Sequence, residues 1–406
     1  MALTPSQRSF RLMLVYHLTQ HAPLYWPYML YFVTSVRGLP ASDFGLLKSI
    51  YYFSVMSFEV PFGVIADRLG RRVTLVLGAL GYAASCMLYA SGEGFAAFAL
   101  AELCAASATA LQSGAASALL FDAYAADGRA HEYVRARGAL ESAGLIGASI
   151  ALPLGGLLVT ASGDPTATYW VTTALSLVGF GAALLLREPP RRAELPLRAH
   201  LTETLRDLGR IRGLGETIVF SALVYLGLRA ASALVWHPVL EAAGMPLRAY
   251  GALTAVATLL GAWTAWRAHA WRARLGERPL MLLAAGSVVA MYLLLPLAHG
   301  PAAAALLLTH GFGMGVVPVV IGDLLNRRIA SPDRRATLLS FESLLQRGSY
   351  GVVVYLASVA LERSSLDVVL LGFAATAAAA TALVPLMTRE SAADDSAARD
   401  DQHRAQ

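Results

Sequence analysis

Gly63-Val64-Ile65-Ala66-Asp67-Arg68-Leu69-Gly70-Arg71-Arg72 sets two glycines and four charges between two long apolar runs. A chain that leaves one apolar run, turns at glycine beside arginines and enters another reads as a chain crossing a membrane. Working outward, apolar segments of about 20 residues, enough for a helix to cross ~30 Å of hydrocarbon, recur about twelve times. The predicted spans are 11–34, 44–66, 72–91, 95–122, 135–160 and 168–187, then 214–240, 247–268, 279–298, 301–323, 336–361 and 365–388. Hydrophobic residues fill 56% of 406 positions and charged ones 15%, with a mean hydropathy of +0.55, which excludes an ordinary soluble domain.

Arginine placement gives the orientation, because basic residues collect in cytoplasmic loops. With the N-terminus inside, Arg8, Arg11, Arg68, Arg71, Arg72, Arg129, Arg135, Arg137, Arg267, Arg272, Arg274, Arg278, Arg327, Arg328, Arg334 and Arg335 fall on one side. The opposite loops hold mainly Arg37, Arg248 and Arg363. Both termini are therefore expected in the cytoplasm and the chain in the inner (plasma) membrane. The net charge of +5 reads as topology and contact with anionic lipid, not nucleic-acid binding. The first apolar run is too long and too polar for a cleavable signal peptide. Cys86 and Cys104 both fall inside apolar spans and read as small buried thiols.

Four domains follow: an N-terminal six-helix bundle over 1–187, a linker over 188–213, a second bundle over 214–390 and a tail over 391–406. In the linker Leu197, Leu201, Leu205 and Leu208 recur at helical spacing among arginines, which suggests an amphipathic helix on the cytoplasmic leaflet or a solvated tether. The acidic tail is expected to be disordered. The halves also repeat one another. Adding 206 to Arg68, Leu69, Gly70 and Arg72 gives Arg274, Leu275, Gly276 and Arg278. Adding 201 to Gly114, Asp122, Glu141, Ser142 and Gly147 gives Gly315, Asp323, Glu342, Ser343 and Gly348.

Gly63, Asp67, Arg68, Gly70, Arg71 and Arg72 match G-x-x-x-D-R-x-G-R-R, so the chain resembles the major facilitator superfamily over nearly its whole length. The resemblance implies an all-α integral membrane protein of twelve transmembrane helices in two pseudo-symmetric six-helix bundles, working by alternating access. It also implies that Asp67 latches the outward-open state against the start of the eleventh helix, near Arg334 and Arg335. A looser resemblance, to the drug:proton antiporter branch, rests on Gly138, Gly147, Gly155 and Gly156 in the fifth helix, with Ala151 and Leu152 where that motif has Gly-Pro. The alternative for those glycines is close backbone contact between helices. Thr109 stands where the fourth helix of the family carries an arginine, so proton transfer through that arginine does not carry over.

Charges inside spans are costly and point to mechanism. Asp122, Glu141, Asp323 and Glu342 are mates near Arg135, Arg137, Arg334 and Arg335, and read as inner-gate salt-bridge networks or as plain structural pairs. Glu59, Glu102, Arg229 and Arg347 have no mates. Glu59 and Glu102 are candidates for binding a proton or a cation, the alternative being carboxylates paired for stability. Arg229 and Arg347 bind an anionic group or neutralise those acids. His17, Gln20, His21, Tyr25 and Trp26 with Tyr225, and His310 further on, suit a substrate cavity. Two histidines four apart are too few ligands for a metal, and no metal, cofactor or enzymatic motif is expected.

The expected function is secondary active transport, with proton-coupled efflux of small amphipathic organic compounds foremost. A symporter or facilitator for an anionic metabolite is the first alternative, and a transporter-like sensor without flux the second. Its partners would be a small-molecule substrate, protons and the lipid bilayer, with the monomer as functional unit.

Overall fold

The computed structural model describes residues 4–188, 214–328 and 332–387, the side chains of Val60, Val64, Asp67, residues 332–337 and Leu339 excepted. The expected linker helix and the tail lie outside the described residues. So does the latch pairing, because the side chains of Asp67, Arg334 and Arg335 are among the exceptions.

Helices account for nearly all of the described chain. The first six are α1 (Pro5–Gln20, resumed by short turns over Trp26–Tyr28, Met29–Tyr31 and Phe32–Val36), α2 (Ala41–Leu69), α3 (Arg71–Ser91), α4 (Gly94–Gln112 and Ala115–Ala126), α5 (Tyr133–Ser162) and α6 (Thr166–Leu185). The second six are α7 (Leu214–Ala230, continued by Ala231–Val235 and Trp236–Ala242), α8 (Leu247–Leu275), α9 (Glu277–Leu294), α10 (Pro301–Leu308 and His310–Arg328), α11 (Pro332–Arg363) and α12 (Leu366–Met387). Among the described residues nine helical stretches are long and apolar enough to cross a membrane. The first helix misses that measure because it is interrupted after Gln20.

The repeat shows in local geometry. α2 passes into α3 through Gly70 alone, at φ 104°, and α8 into α9 through Gly276 alone, at φ 84°. A side chain at either position would be strained, so glycine is what permits two long helices to reverse in one residue. α1 and α7 are each interrupted by a π-helical turn, over Phe32–Val36 and Ala231–Val235. Such turns loosen the helix ladder and occur mostly where function needs irregularity.

By contacts the chain divides into two units. One contains α1–α6 together with Trp236–Thr258 and Gly351–Ser364; the other contains the start of α7, Leu259–Tyr350 and α12. The first unit has a core of Met13, Tyr16, Leu75, Ala79, Leu119, Leu120 and Leu140, where Tyr16 donates its hydroxyl to Leu75 O at 3.1 Å. Its outer contacts depend on absent side chains. A Cβ on Gly155 would strike Leu24 O, one on Gly156 would meet Arg248 O at 2.6 Å, and one on Gly251 would strike Leu152 O. Tyr28 accepts from Gly251 N at 3.0 Å, and Ser49 donates to Gly351 O at 2.6 Å. Gly155 and Gly156 thus follow the close-contact alternative stated for the fifth helix, as does Gly147, whose Cβ would meet Leu18 at 2.9 Å. Gly138 faces open space.

Helix starts are capped by side chains. Thr4 and Gln7 form a capping box on α1, and Asp127 accepts from Ser6 N at 2.7 Å. Those hydrogen bonds from Ser6 hold the Asp127 carboxyl below the usual carboxylate range. Glu188 does the same for α3, accepting from Arg71 N at 2.9 Å and Arg72 N at 2.7 Å.

Candidate substrate cavity

A cavity of about 450 Å³ lies within the first unit, walled by α1–α5. That is a volume suited to a small organic solute. Tyr25, Tyr51 and Tyr82 contribute ring faces and phenol groups, and Gln20, Thr109, Gln112, Ser113 and Ser117 contribute amides and hydroxyls. His17 and His21 stack on each other at 4.0 Å along one face of α1. The break in α4 is part of the cavity's lining: Gly114, at φ 74°, faces open space and separates the two segments of that helix. Irregular backbone is tolerated at membrane depth only where protein or a polar cavity satisfies it. Its repeat mate Gly315 plays another part, since a Cβ there would strike Thr264 and Gly261 O of α8.

The cavity's charges cancel. Arg137 and Glu141, one turn apart on α5, pair at 2.6 Å, and they are the lining's arginine and its carboxylate. Gln20 is fixed by Ser176 of α6 at 3.0 Å, and the hydroxyls of Tyr25 and Tyr82 meet at 3.1 Å. Trp26, expected in the lining, is not part of it. Tyr225, Arg229, His310 and Arg347 belong to the second unit. There the Arg229 guanidinium lies 5.6 Å over the Tyr225 ring, which meets the buried Tyr350 edge-on at 6.1 Å.

From Tyr25 a column of rings leads away from the cavity. Tyr25 stacks on Tyr169 at 4.7 Å, Tyr169 on Tyr89 at 5.1 Å, and the Tyr89 hydroxyl donates to Glu102 Oε1 at 2.5 Å. The same oxygen takes an ion pair from Lys48 at 2.5 Å. Glu102 is 2% exposed and Lys48 5%. Glu102, read from sequence as a carboxylate without a mate, is therefore neutralised by a lysine that the sequence reading passed over. The signal was present: Lys48 is the chain's only lysine, every other one of its 32 basic side chains being arginine.

The inner charge pairs also differ from expectation. Asp122 pairs with Arg71 at the start of α3, not with Arg135 or Arg137, because that start lies beside the second segment of α4. Its mate Asp323 pairs with Arg272 at 2.5 Å and Arg327 at 2.9 Å, and Glu277 takes the same two arginines at 2.7 and 2.5 Å. Glu277 occupies the position of Arg71 in the repeat, so in the second half the cations come from the end of α8 and from α10. Glu342 is held by Ser221 of α7 and by Gln346 Nε2 at 2.9 Å, while the side chains of Arg334 and Arg335, expected near it, lie outside the described residues.

The sequence matches the family model of the Major Facilitator Superfamily over residues 22–354. No curated protein matches it. Among solved structures the chain is similar to the nucleoside transporter NupG, with a TM-score of 0.79 at 14% identity over 95% of this chain and 100% of that one. It is also similar to a bacterial homologue of the human lysosomal transporter Spinster, with a TM-score of 0.68 at 17% identity over 96% of each chain. A D-xylose-proton symporter follows, at 0.72 and 12% identity over 93% of this chain and 96% of that one. At such identities the likeness concerns the fold.

Proposed function

Because the chain belongs to the Major Facilitator Superfamily, and so is a multi-pass membrane transporter and not an enzyme, we propose that it carries small, uncharged, polar ring compounds in exchange or symport with protons. The observation that carries this reading is the cavity lining: tyrosine faces to stack on a ring, amides and hydroxyls to hydrogen-bond its substituents, and one arginine already neutralised by one carboxylate. A lipophilic cation would find no uncompensated acid there, and a dicarboxylate no uncompensated base. The nucleoside transporter and the D-xylose-proton symporter among the similar structures act on solutes of this class.

Direction is a separate matter. A secondary transporter runs either way, and the gradients set net flux. The expectation of efflux leaned on the glycines of the fifth helix, and Gly147, Gly155 and Gly156 are engaged in close helix contacts.

Purified protein tested by thermal shift against uridine, D-xylose, tetraphenylphosphonium and succinate decides the solute class. Stabilisation by a neutral ring compound, followed by its counterflow in proteoliposomes, is expected. Stabilisation by the cation or the dianion alone overturns the reading.

A further inference from the structure

We propose that Glu342 is the group that takes up and releases the coupled proton, an inference that rests on the proton-coupled reading above. Several acids among the described residues have a cation as partner. Glu102 has Lys48, Asp122 has Arg71, Glu141 has Arg137, and Asp323 and Glu277 share Arg272 and Arg327. In each of these pairs a cation already answers the carboxylate's charge. Glu342 is half-buried on α11, and among the described residues its partners are neutral: the Ser221 hydroxyl and the Gln346 amide, which also donates to Ser221 Oγ at 2.8 Å. The repeat explains the difference. Arg137, one turn before Glu141, becomes Leu338 one turn before Glu342, and Leu338 is fully buried.

Other polar and charged groups lie on α7, α10 and α11. Thr217, Ser221, Tyr225 and Arg229 follow one another at four-residue intervals along α7. Arg328 of α10 is engaged by Thr217 Oγ1 at 2.6 Å and by Met387 O. Arg347 follows Gln346 on α11 itself.

A proton arriving from water forms the O–H bond on Glu342 and removes its negative charge. The acid then donates to Ser221 Oγ, whose own hydrogen turns to another acceptor, and release reverses each change. This reversal sits between α7 and α11, two of the three helices that pass from one contact unit to the other, at Val235/Trp236 and Tyr350/Gly351, the third being α8 at Thr258/Leu259. A hydrogen bond that changes direction with protonation is therefore placed on helices whose two ends belong to different bodies.

Infrared difference spectra between about pH 5 and about pH 8, the physiological window, test the assignment without any solute. The parent protein is expected to show a protonated-carboxyl C=O band that Glu342→Gln loses and that Lys48→Met/Glu102→Leu and Glu59→Gln retain. If Glu342→Gln fails to fold, Ser221→Ala serves: the acid loses the hydroxyl to which it donates, so the band's frequency shifts. A parent without the band, a band surviving in Glu342→Gln, or an unshifted frequency in Ser221→Ala overturns the proposal. Uridine counterflow alongside separates the two readings. Flux without the band fails this inference alone, and the band without flux of any neutral ring compound fails the solute assignment alone.

Discussion

Lys48 Nζ lies 2.5 Å from Glu102 Oε1 inside a shell of Tyr89, Phe44 and Met29, the thioether sulfur 3.1 Å from the ammonium. Two charges taken out of water are tolerated because each answers the other, so removing one leaves an uncompensated charge in a dry site. Lys48→Met is expected to destabilise the protein by about 3–5 kcal/mol. Lys48→Met/Glu102→Leu should recover most of that loss. Thermal unfolding in a single detergent compares them, and a single variant as stable as the parent contradicts the account.

Tyr82→Phe removes the hydroxyl that meets Tyr25 OH at the cavity end of the ring column. A neutral hydrogen bond contributes about 1 kcal/mol. Apparent solute affinity should fall roughly five- to tenfold with little change in unfolding temperature, as read by counterflow at graded solute concentration.

Gly251→Ala places a Cβ against Leu152 O and Tyr28 Oη. Overpacking of this kind costs roughly 1–3 kcal/mol, and here it falls on the contact between the start of α8 and α5. The variant should expose a cysteine placed at Ser49 to impermeant maleimide faster than the parent. Gly181→Ala, where nothing lies within 4 Å, should label at the parent's rate.

Asp127, outside the spans, is held below the usual carboxylate range by Ser6. A depressed acid contributes stability above its unfolded value of about 3.9, and that contribution disappears as pH falls through the lower folded value. Solvent screens so exposed a group, so the effect is small. Unfolding scans from neutral pH downward should show Asp127→Asn slightly less stable than the parent at neutrality and converging with it in acid.

Much of this was legible along the chain. Hydropathy and the glycine-arginine turn are one-dimensional signals, and they placed the helices, most ends within a few residues, and matched Asp122 with Asp323. The partners of those residues were not legible. Which arginine reaches Asp122 depends on how α3 lies beside α4, and the distance from Lys48 to Glu102 spans two helices. Glu342 differs from its mate Glu141 because Leu338 stands where Glu141 has Arg137 one turn before it, a difference written in the sequence but given its meaning by Ser221 on another helix. The fifth-helix glycines read equally well as motif or as contact until their neighbours were in place.

Lys48 has one more consequence. With the chain's only lysine side chain sealed beside Glu102, an amine-reactive ester meets no lysine on the surface of the folded protein. Acylation at that single position becomes a clock for how often the ring-lined interior of the first helical unit lets water in.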